Sequence, residues 1–260
     1  MSRVLNLILS HQEPEALRRV LDWWGRFVPA EDVLVAYGGA VGAFDRLDCG
    51  QRVFVGDPRL RTRDHPLERQ SYTAVFQAAA RWLAGRDYTH VYFAEFDHLP
   101  LTRQLHERVV EAMEREAADA LVARLRRVDS TNHPHYLHEC GQKGFHSFWE
   151  EISVRRDPRT VLTMIAPGSC WTREAFDAIA AREEPFPIYL EIYLPTLAHH
   201  LGFRVRDLGE QNRWIHFQGE RGAEIEEAAA AGAWALHPVK TIEPRYLERL
   251  AAPKAAGVSP

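Results

Sequence analysis

The chain has 260 residues, 46% of them hydrophobic and 26% charged, with a formal net charge of −4. This composition is globular, and the length suits one large α/β domain with an ample core. The near-neutral balance excludes a binder of nucleic-acid polyanions, whose affinity comes from a basic surface, while leaving room for a small phosphorylated ligand. Val4–Leu9 reads as a buried strand. Pro14 to Phe27 reads as a helix, with Leu17, Val20, Leu21 and Trp24 on one face and Pro14 in its first turn. Asp32–Tyr37 and Arg52–Val55 are two further apolar runs, ended by Gly38-Gly39 and Gly56-Asp57-Pro58. Ser71–Leu83 is a helix that Ser71 could cap. His90–Ala94 is a fourth strand, Leu101–Glu116 a helix and Ala120–Val128 another strand. This alternation predicts an α/β fold with a mainly parallel central sheet and helices on both faces.

From Asp129 the rhythm breaks. Residues 129–160 are rich in His, Pro, Gly and aromatics, with no clean period. Thr160–Ala166 resumes strand character, and Thr172–Ala181 is a short helix. Ile188–Leu201 is helical, with Leu190, Leu194, Leu197 and Leu201 on one stripe. Pro195 should kink it or start a second helix. Phe203–Leu208 and Arg213–Phe217 read as strands, and Ala235–Val239 ends in a turn. The three cysteines, Cys49, Cys140 and Cys170, are few and odd in number. They point to free thiols in a reducing, cytoplasmic setting. The opening apolar run is too short for a signal peptide, and Asn6 interrupts it. No stretch approaches the roughly 18 apolar residues of a membrane span.

Glu95-Phe96-Asp97 is the most informative segment. Two carboxylates close an apolar strand, where open α/β sheets bind ligands. Alternate residues of an extended segment point the same way, so Glu95 and Asp97 would converge. Such a pair favours a divalent cation with oxygen ligands, Mg²⁺ or Mn²⁺, which would neutralise a diphosphate. A solvated turn is the plainer alternative. Arg59, Arg61, Arg63 and Arg69 crowd the segment before the Ser71 helix, and arginine forks match phosphate oxygens.

In order and spacing the chain resembles the GT-A-fold glycosyltransferases that use nucleotide sugars, and their family 2 in particular. Three segments carry this. Val4–Gln12 ends in Ser10-His11-Gln12 and resembles the opening nucleotide-binding strand. Glu95-Phe96-Asp97 resembles the acid-x-acid metal motif, with Glu in place of the more usual first Asp. Ile188–Leu208 resembles the acceptor-side acidic helix and following strand. With no internal repeat and no linker-like composition shift, the chain reads as one domain over 1–260, and the Ala/Gly/Pro-biased Ala251–Pro260 as a flexible tail; the resemblance implies a nucleotide-sugar half (1–128) and an acceptor-side half (129–242). It implies metal-dependent sugar transfer, with inversion, to a carbohydrate, lipid-linked or small-molecule acceptor. Asp97 would bind Mn²⁺ or Mg²⁺. Glu95 would touch the metal through water, or the ribose. His237 would be a further metal ligand. Ser10, Gln12, Asp57, Arg69 and Lys240 would line the donor, and Glu191 would be the general base on the acceptor hydroxyl.

Each assignment has a plain rival. Glu191 could face solvent on its helix, and His237 could sit in a surface turn. His216, between Ile215 and Phe217, reads as a packed core histidine. His133, His135, His138 and Glu139 lack the helical spacing of a metal-hydrolase motif and fit an irregular loop. Trp149 and Trp171 could stack on a sugar or pack in the core. Gly168–Thr172 reads as a ligand-facing loop on the resemblance. A nucleotidyltransferase is the rival enzyme, although Ser10-His11-Gln12-Glu13-Pro14 replaces its usual glycine-rich loop. A non-catalytic nucleotide- or carbohydrate-binding module is the third reading.

Overall fold

The computed structural model describes residues 2–61, 71–128, 150, 160–181, 189–243 and 246. Strand β1 (Val4–Ser10) is buried along its whole length. Its side chains alternate between two cores: Leu5, Leu7 and Leu9 enter one, Val4 and Ile8 the other. A strand covered on both faces has no need of polar alternation, which is why it reads as a continuous apolar run. β1 pairs in parallel with β2 (Val33–Tyr37) and β4 (His90–Glu95), and β2 with β3 (Arg52–Phe54). β7 (Leu162–Thr172) runs antiparallel between β4 and β6 (Ala120–Arg127), and β6 pairs in parallel with β8 (Val205–Asp207). The seven-stranded order is β3-β2-β1-β4-β7-β6-β8. The expected mainly parallel sheet is present, with one antiparallel strand inserted.

Helices cover both faces. α1 (Pro14–Trp24), α2 (Val41–Asp45) and α4 (Leu105–Arg115) bury one set of apolar residues against the Ile8 side. α3 (Tyr72–Leu83), α5 (Arg173–Ala180) and α6 (Leu190–Leu201) cover the Leu7 side. A third cluster joins Trp23, Leu99, Trp214, Leu236 and Val239 to Ile225 and Ala228 of α7 (Ile225–Ala230). It packs a small two-stranded sheet of β5 (Leu99–Pro100) and β9 (Ala235–Leu236) beside the ends of the main strands. The Trp23 indole N–H donates to the Pro100 carbonyl (2.8 Å), tying α1 to that unit.

Several expectations change. Helix α1 stops at Trp24, and α4 starts at Leu105. Ser71 precedes α3 in a helix-like conformation and makes no side-chain cap bond, whereas Thr172 caps α5 through the Ala175 N–H. Gly38–Gly42 is not only a turn, since α2 begins at Val41. Pro195 does not split α6: the helix runs through it. The missing N–H costs only the bond to the Glu191 carbonyl, and nearly every side chain of α6 is buried, so packing holds it. Leu201 nevertheless lies exposed, off the buried set. Arg213–Phe217 is no strand. A 3₁₀ turn (Gly209–Trp214) leads into a single bridge between Ile215 and His237. Gly168–Thr172 is the second half of β7, and Trp171 is core, packed on Phe76 with its N–H on Ser169 Oγ (2.9 Å). Cys49 and Cys170 are free thiols. Cys140, Trp149, the cluster at His133, His135, His138 and Glu139, and the 251–260 tail lie outside the described residues. Among the described residues no helix is long and apolar enough to cross a membrane.

Candidate functional site

Strands β1 to β4 point their carboxyl ends to one edge, where Ser10, Gln12, Asp57, Glu95 and Asp97 lie at or just beyond the strand ends. β1 ends at Ser10, which is fully buried; its Oγ accepts the Gln12 N–H (3.1 Å). Its carbonyl accepts the Gly38 N–H, and the Tyr37 hydroxyl donates to the Gln12 carbonyl (3.0 Å). These bonds hold the Ser10–Gln12 loop against the end of β2. The His11 ring meets the Phe96 ring edge-on at 5.5 Å, joining the ends of β1 and β4.

Glu95 closes β4 and is half-buried, but the extended geometry ends with it. Phe96 and Asp97 turn, and the His98 N–H returns to the Glu95 carbonyl (2.9 Å). The alternation that would aim both acids the same way therefore stops at Glu95. The turn carries Asp97 inward, where it is 6% exposed. The Val239 N–H donates to the Asp97 carbonyl (2.7 Å), so the turn is tied to the segment after β9.

That segment delivers His237. Its N–H donates to the Trp214 carbonyl (3.0 Å), and its carbonyl accepts the His216 N–H (3.0 Å). The His237–Pro238 peptide bond is cis. The residue is 5% exposed, and its Nδ1 lies 3.4 Å from Asp97 Oδ1. Neither atom has a hydrogen-bond partner. Burial pushes the Asp97 carboxyl up to about 6, against the pull of its own backbone N–H and the charge of Lys240. Burial pushes His237 down to about 3. Near neutral pH the pair is therefore a carboxylate beside a neutral imidazole. Both are in the state that ligates a cation.

His98 lies behind this pair, a residue with no role assigned from the sequence. It is fully buried, with Nε2 2.7 Å from the Tyr92 hydroxyl and its ring 5.7 Å from that of His237. Burial holds it neutral, well below the usual histidine range. Gly168 makes room for it. With φ +87°, a Cβ there would lie 2.9 Å from His98 Cε1 and 2.8 Å from Ile215 Cδ1. The signal was in the sequence: a histidine directly after an acid-x-acid pair, and a Pro-Gly inside an apolar run.

The other predicted residues are distributed as follows. Lys240 is exposed, and its charge acts on both Asp97 and His237. Its backbone N–H donates to Glu220 Oε2 (2.8 Å). Asp57 follows β3 at the same edge, but Arg59 occupies both of its carboxylate oxygens, with contacts down to 2.6 Å. Burial raises that carboxyl, and the Arg59 hydrogen bonds outweigh it, leaving it below the usual range. Arg61 bonds the Gly39 carbonyl (3.1 Å). Arg63 and Arg69 lie outside the described residues. Glu191, in the first turn of α6, accepts the Ala166 N–H (3.2 Å). Because β7 is antiparallel to β4, with Phe93 opposite Ser169, Ala166 lies toward the Asp97 edge. His216 is not the packed core histidine expected. It is half-exposed, with Nε2 at the Arg213 carbonyl (2.9 Å).

The orphaned, buried Asp97 Oδ1 and His237 Nδ1 fit a divalent cation of the Mn²⁺ type, which accepts carboxylate and imidazole together. Among the described residues no group of three His, Cys, Asp or Glu is gathered to hold a metal. The protein would thus supply two ligands, leaving the others to a ligand's oxygens and water, as is usual for metal–phosphate sites.

No family model matches the chain, and no curated protein matches it. Solved structures give low-identity likenesses. A glycosyltransferase involved in glycosylation of the major capsid of PBCV-1 is 10% identical, covering 95% of this chain and 98% of that one, at TM-score 0.47. A mannosyltransferase from Pyrobaculum calidifontis, in complex with GDP-Man and Mn²⁺, is 14% identical over 80% and 55%, at 0.45. The bifunctional IspDF of Campylobacter jejuni is 11% identical over 81% and 51%, at 0.42, so the chain spans about half of that protein. At these scores the likenesses carry no functional inference.

Proposed function

We propose that the chain is a metal-dependent glycosyltransferase, moving a sugar from a nucleotide-diphosphate donor to an acceptor hydroxyl. The observation that carries this reading is the buried pair Asp97 Oδ1 and His237 Nδ1, 3.4 Å apart and without partners, at the carboxyl edge of a parallel sheet. A buried polar atom with no partner costs stability, and a ligand that pairs it removes the cost. Asp97 and His237 hold the cation in this reading, and Glu95 reaches the donor ribose or a metal-bound water. The cation supplies charge neutralisation of the diphosphate leaving group. Ser10 and Gln12 present the end of β1 to the nucleotide. Asp57 is held by Arg59 at the donor edge. Lys240, a flexible point charge, meets a phosphate, and Arg69 is proposed as a second cation for it. Glu191, oriented by the Ala166 N–H, takes the proton from the acceptor hydroxyl as it attacks the anomeric carbon, with inversion.

The test has two parts. Mn²⁺ titration followed by electron paramagnetic resonance should show one bound ion. Incubation with a panel of nucleotide sugars and Mn²⁺ should then release free nucleoside diphosphate. Pyrophosphate release from a nucleoside triphosphate would overturn the reading in favour of a nucleotidyltransferase. Donor binding without turnover would leave a binding module in its place.

A further inference from the structure

We infer that Arg124 is a positioning residue: from the middle of β6 it clamps the 212–216 segment that holds His237 in place, an inference that rests on reading Asp97 and His237 as cation ligands. Two independent observations meet at this residue. The first is its backbone. Arg124 has φ +53°, a left-handed conformation that side chains other than glycine rarely adopt. It sits where the pairing of β6 with β7 shifts register between Ala123 and Arg126. Strain of this kind persists only where surrounding contacts over-determine it.

The second is what the residue touches. Its backbone N–H donates to Asn212 Oδ1 (2.7 Å). Its guanidinium forks: Nε donates to the Ile215 carbonyl (2.8 Å) and Nη2 to the Asn212 carbonyl (3.2 Å). Nη2 also lies 3.2 Å from His216 Nε2. The guanidinium is half-buried, and among the described residues it has no ion pair with a carboxylate. Burial and the charges of Arg126 and Arg221 hold it below the usual arginine value. Its hydrogen bonds all fall on one segment, the Asn212 and Ile215 carbonyls and the His216 ring. A surface arginine without this task would extend into solvent.

That segment is the cradle of His237. Trp214 and His216 hold the two backbone groups of His237, and Ile215 forms the bridge opposite it. Ile215 also closes over Gly168 beside His98. Residues 209–214 have no strand ladder, only a 3₁₀ turn. Asp207 fixes the start of that turn through the Gly209 N–H and the Asn212 amide. Arg124 fixes its end. The chain from β6 to the candidate ligand is therefore continuous: Arg124, then the Asn212 and Ile215 carbonyls, then the His237 backbone. A lysine would keep the charge but could not fork between two carbonyls.

Arg124→Gly separates the two features, because glycine accepts the positive φ while the clamp is lost. Peptide-resolved amide hydrogen exchange on the metal-free full chain is the first readout. Exchange in the peptides spanning 212–217 and 236–240 should rise about tenfold, the loss expected when charge-assisted bonds are removed. Peptides from β1 and β4 should not change. The second readout is Mn²⁺ affinity by electron paramagnetic resonance, which should fall about tenfold, as for other residues that orient a ligand. Unchanged exchange at 212–217 and 236–240, or a rise shared equally by β1 and β4, overturns the clamp. Unchanged Mn²⁺ affinity in a variant with local loosening overturns its bearing on the site. If the parent chain binds no Mn²⁺, the ligand reading fails, and the exchange result still decides the clamp. Should Arg124→Gly not fold, Arg124→Lys carries the same measurements with a smaller expected change.

Discussion

The two ends of β1 and β4 treat polar side chains in opposite ways. At the amino end Arg3 bonds Asp32 (3.1 Å) and Asp87 (2.7 Å) and lies over the Tyr88 ring, while its backbone N–H donates to the Thr89 hydroxyl and its carbonyl accepts from it. Buried Asn6 donates to the Asp32 carbonyl (2.9 Å) and meets His106 Nε2 through its amide. These groups satisfy one another. At the carboxyl end Asp97 Oδ1 and His237 Nδ1 are buried, unlike the exposed Arg3–Asp87 pair, and have no hydrogen-bond partner. Most polar groups that serve only the fold are paired within it, although among the described residues Trp24 Nε1, Thr73 Oγ1 and Asp177 Oδ1 are also buried without a hydrogen-bond partner. On the proposed reading, the pair left open at this strand edge is where a cation would bind.

The largest effect should follow from removing the open pair. Asp97→Ala should cut Mn²⁺-dependent release of nucleoside diphosphate on the order of a thousandfold, the several kcal/mol a bound cation supplies. Glu191→Gln should lower turnover about a hundredfold while donor affinity, read by calorimetry, stays near the parent value. Parent-like turnover in the first variant would erase the contrast between the two ends.

Gly168 tests how tightly the carboxyl end is built. Its φ of +87° and the approach of His98 and Ile215 leave no room for a Cβ. Gly168→Ala should cost about 2–4 kcal/mol in urea unfolding, from backbone strain and overpacking combined. Gly209 has φ +62° with nothing nearby, so Gly209→Ala should cost only about 1 kcal/mol. Equal losses would mean that the wall behind His237 is soft.

Gly168 also shows where the sequence stops being legible. The strands buried on both faces, β1, β2 and β4, stand out because long apolar runs end in turn residues, and the helices of the first half show their apolar stripes. The acid pair was readable as chemistry. Its geometry was not, since nothing in Glu95-Phe96-Asp97 says that the chain turns after Glu95. Pro167-Gly168 reads as a break in an apolar run. The strand continues through it because β6 and β7 shift register there, between the pairs Leu121–Cys170 and Ala123–Ile165. A bulge is one of the few places a sheet tolerates proline. The meeting of Asp97 with His237, 140 positions later, depends on β5, β9 and the Val239 bond. Such long-range pairing leaves no local trace.

The pH dependence of stability sharpens the comparison. Because burial raises Asp97 to about 6 in the folded chain against an ordinary 3.8, its ionised form costs stability. The cost appears as pH rises past 3.8 and is complete above about 6. Asp97→Asn should therefore stabilise the metal-free protein at pH 7.5 by about 2–3 kcal/mol. The gain should shrink toward zero at pH 4, where the parent carboxyl is protonated. Urea unfolding in chelator at the two pH values measures this. Destabilisation at pH 7.5 would mean the carboxylate is satisfied within the fold.

The amino end should answer differently. Asn6→Ala removes a buried amide that serves both the Asp32 carbonyl and His106, with no ligand in view. It should cost about 1–2 kcal/mol, the penalty for leaving buried partners unpaired. Mn²⁺ affinity should not move, because β1 is held along its length by both β2 and β4. A polar residue at the carboxyl end thus loses function and gains stability on neutralisation, while one at the amino end loses stability alone. If Asn6→Ala weakened Mn²⁺ binding as well, the two ends would be coupled through β1, and the division of labour between them would fail.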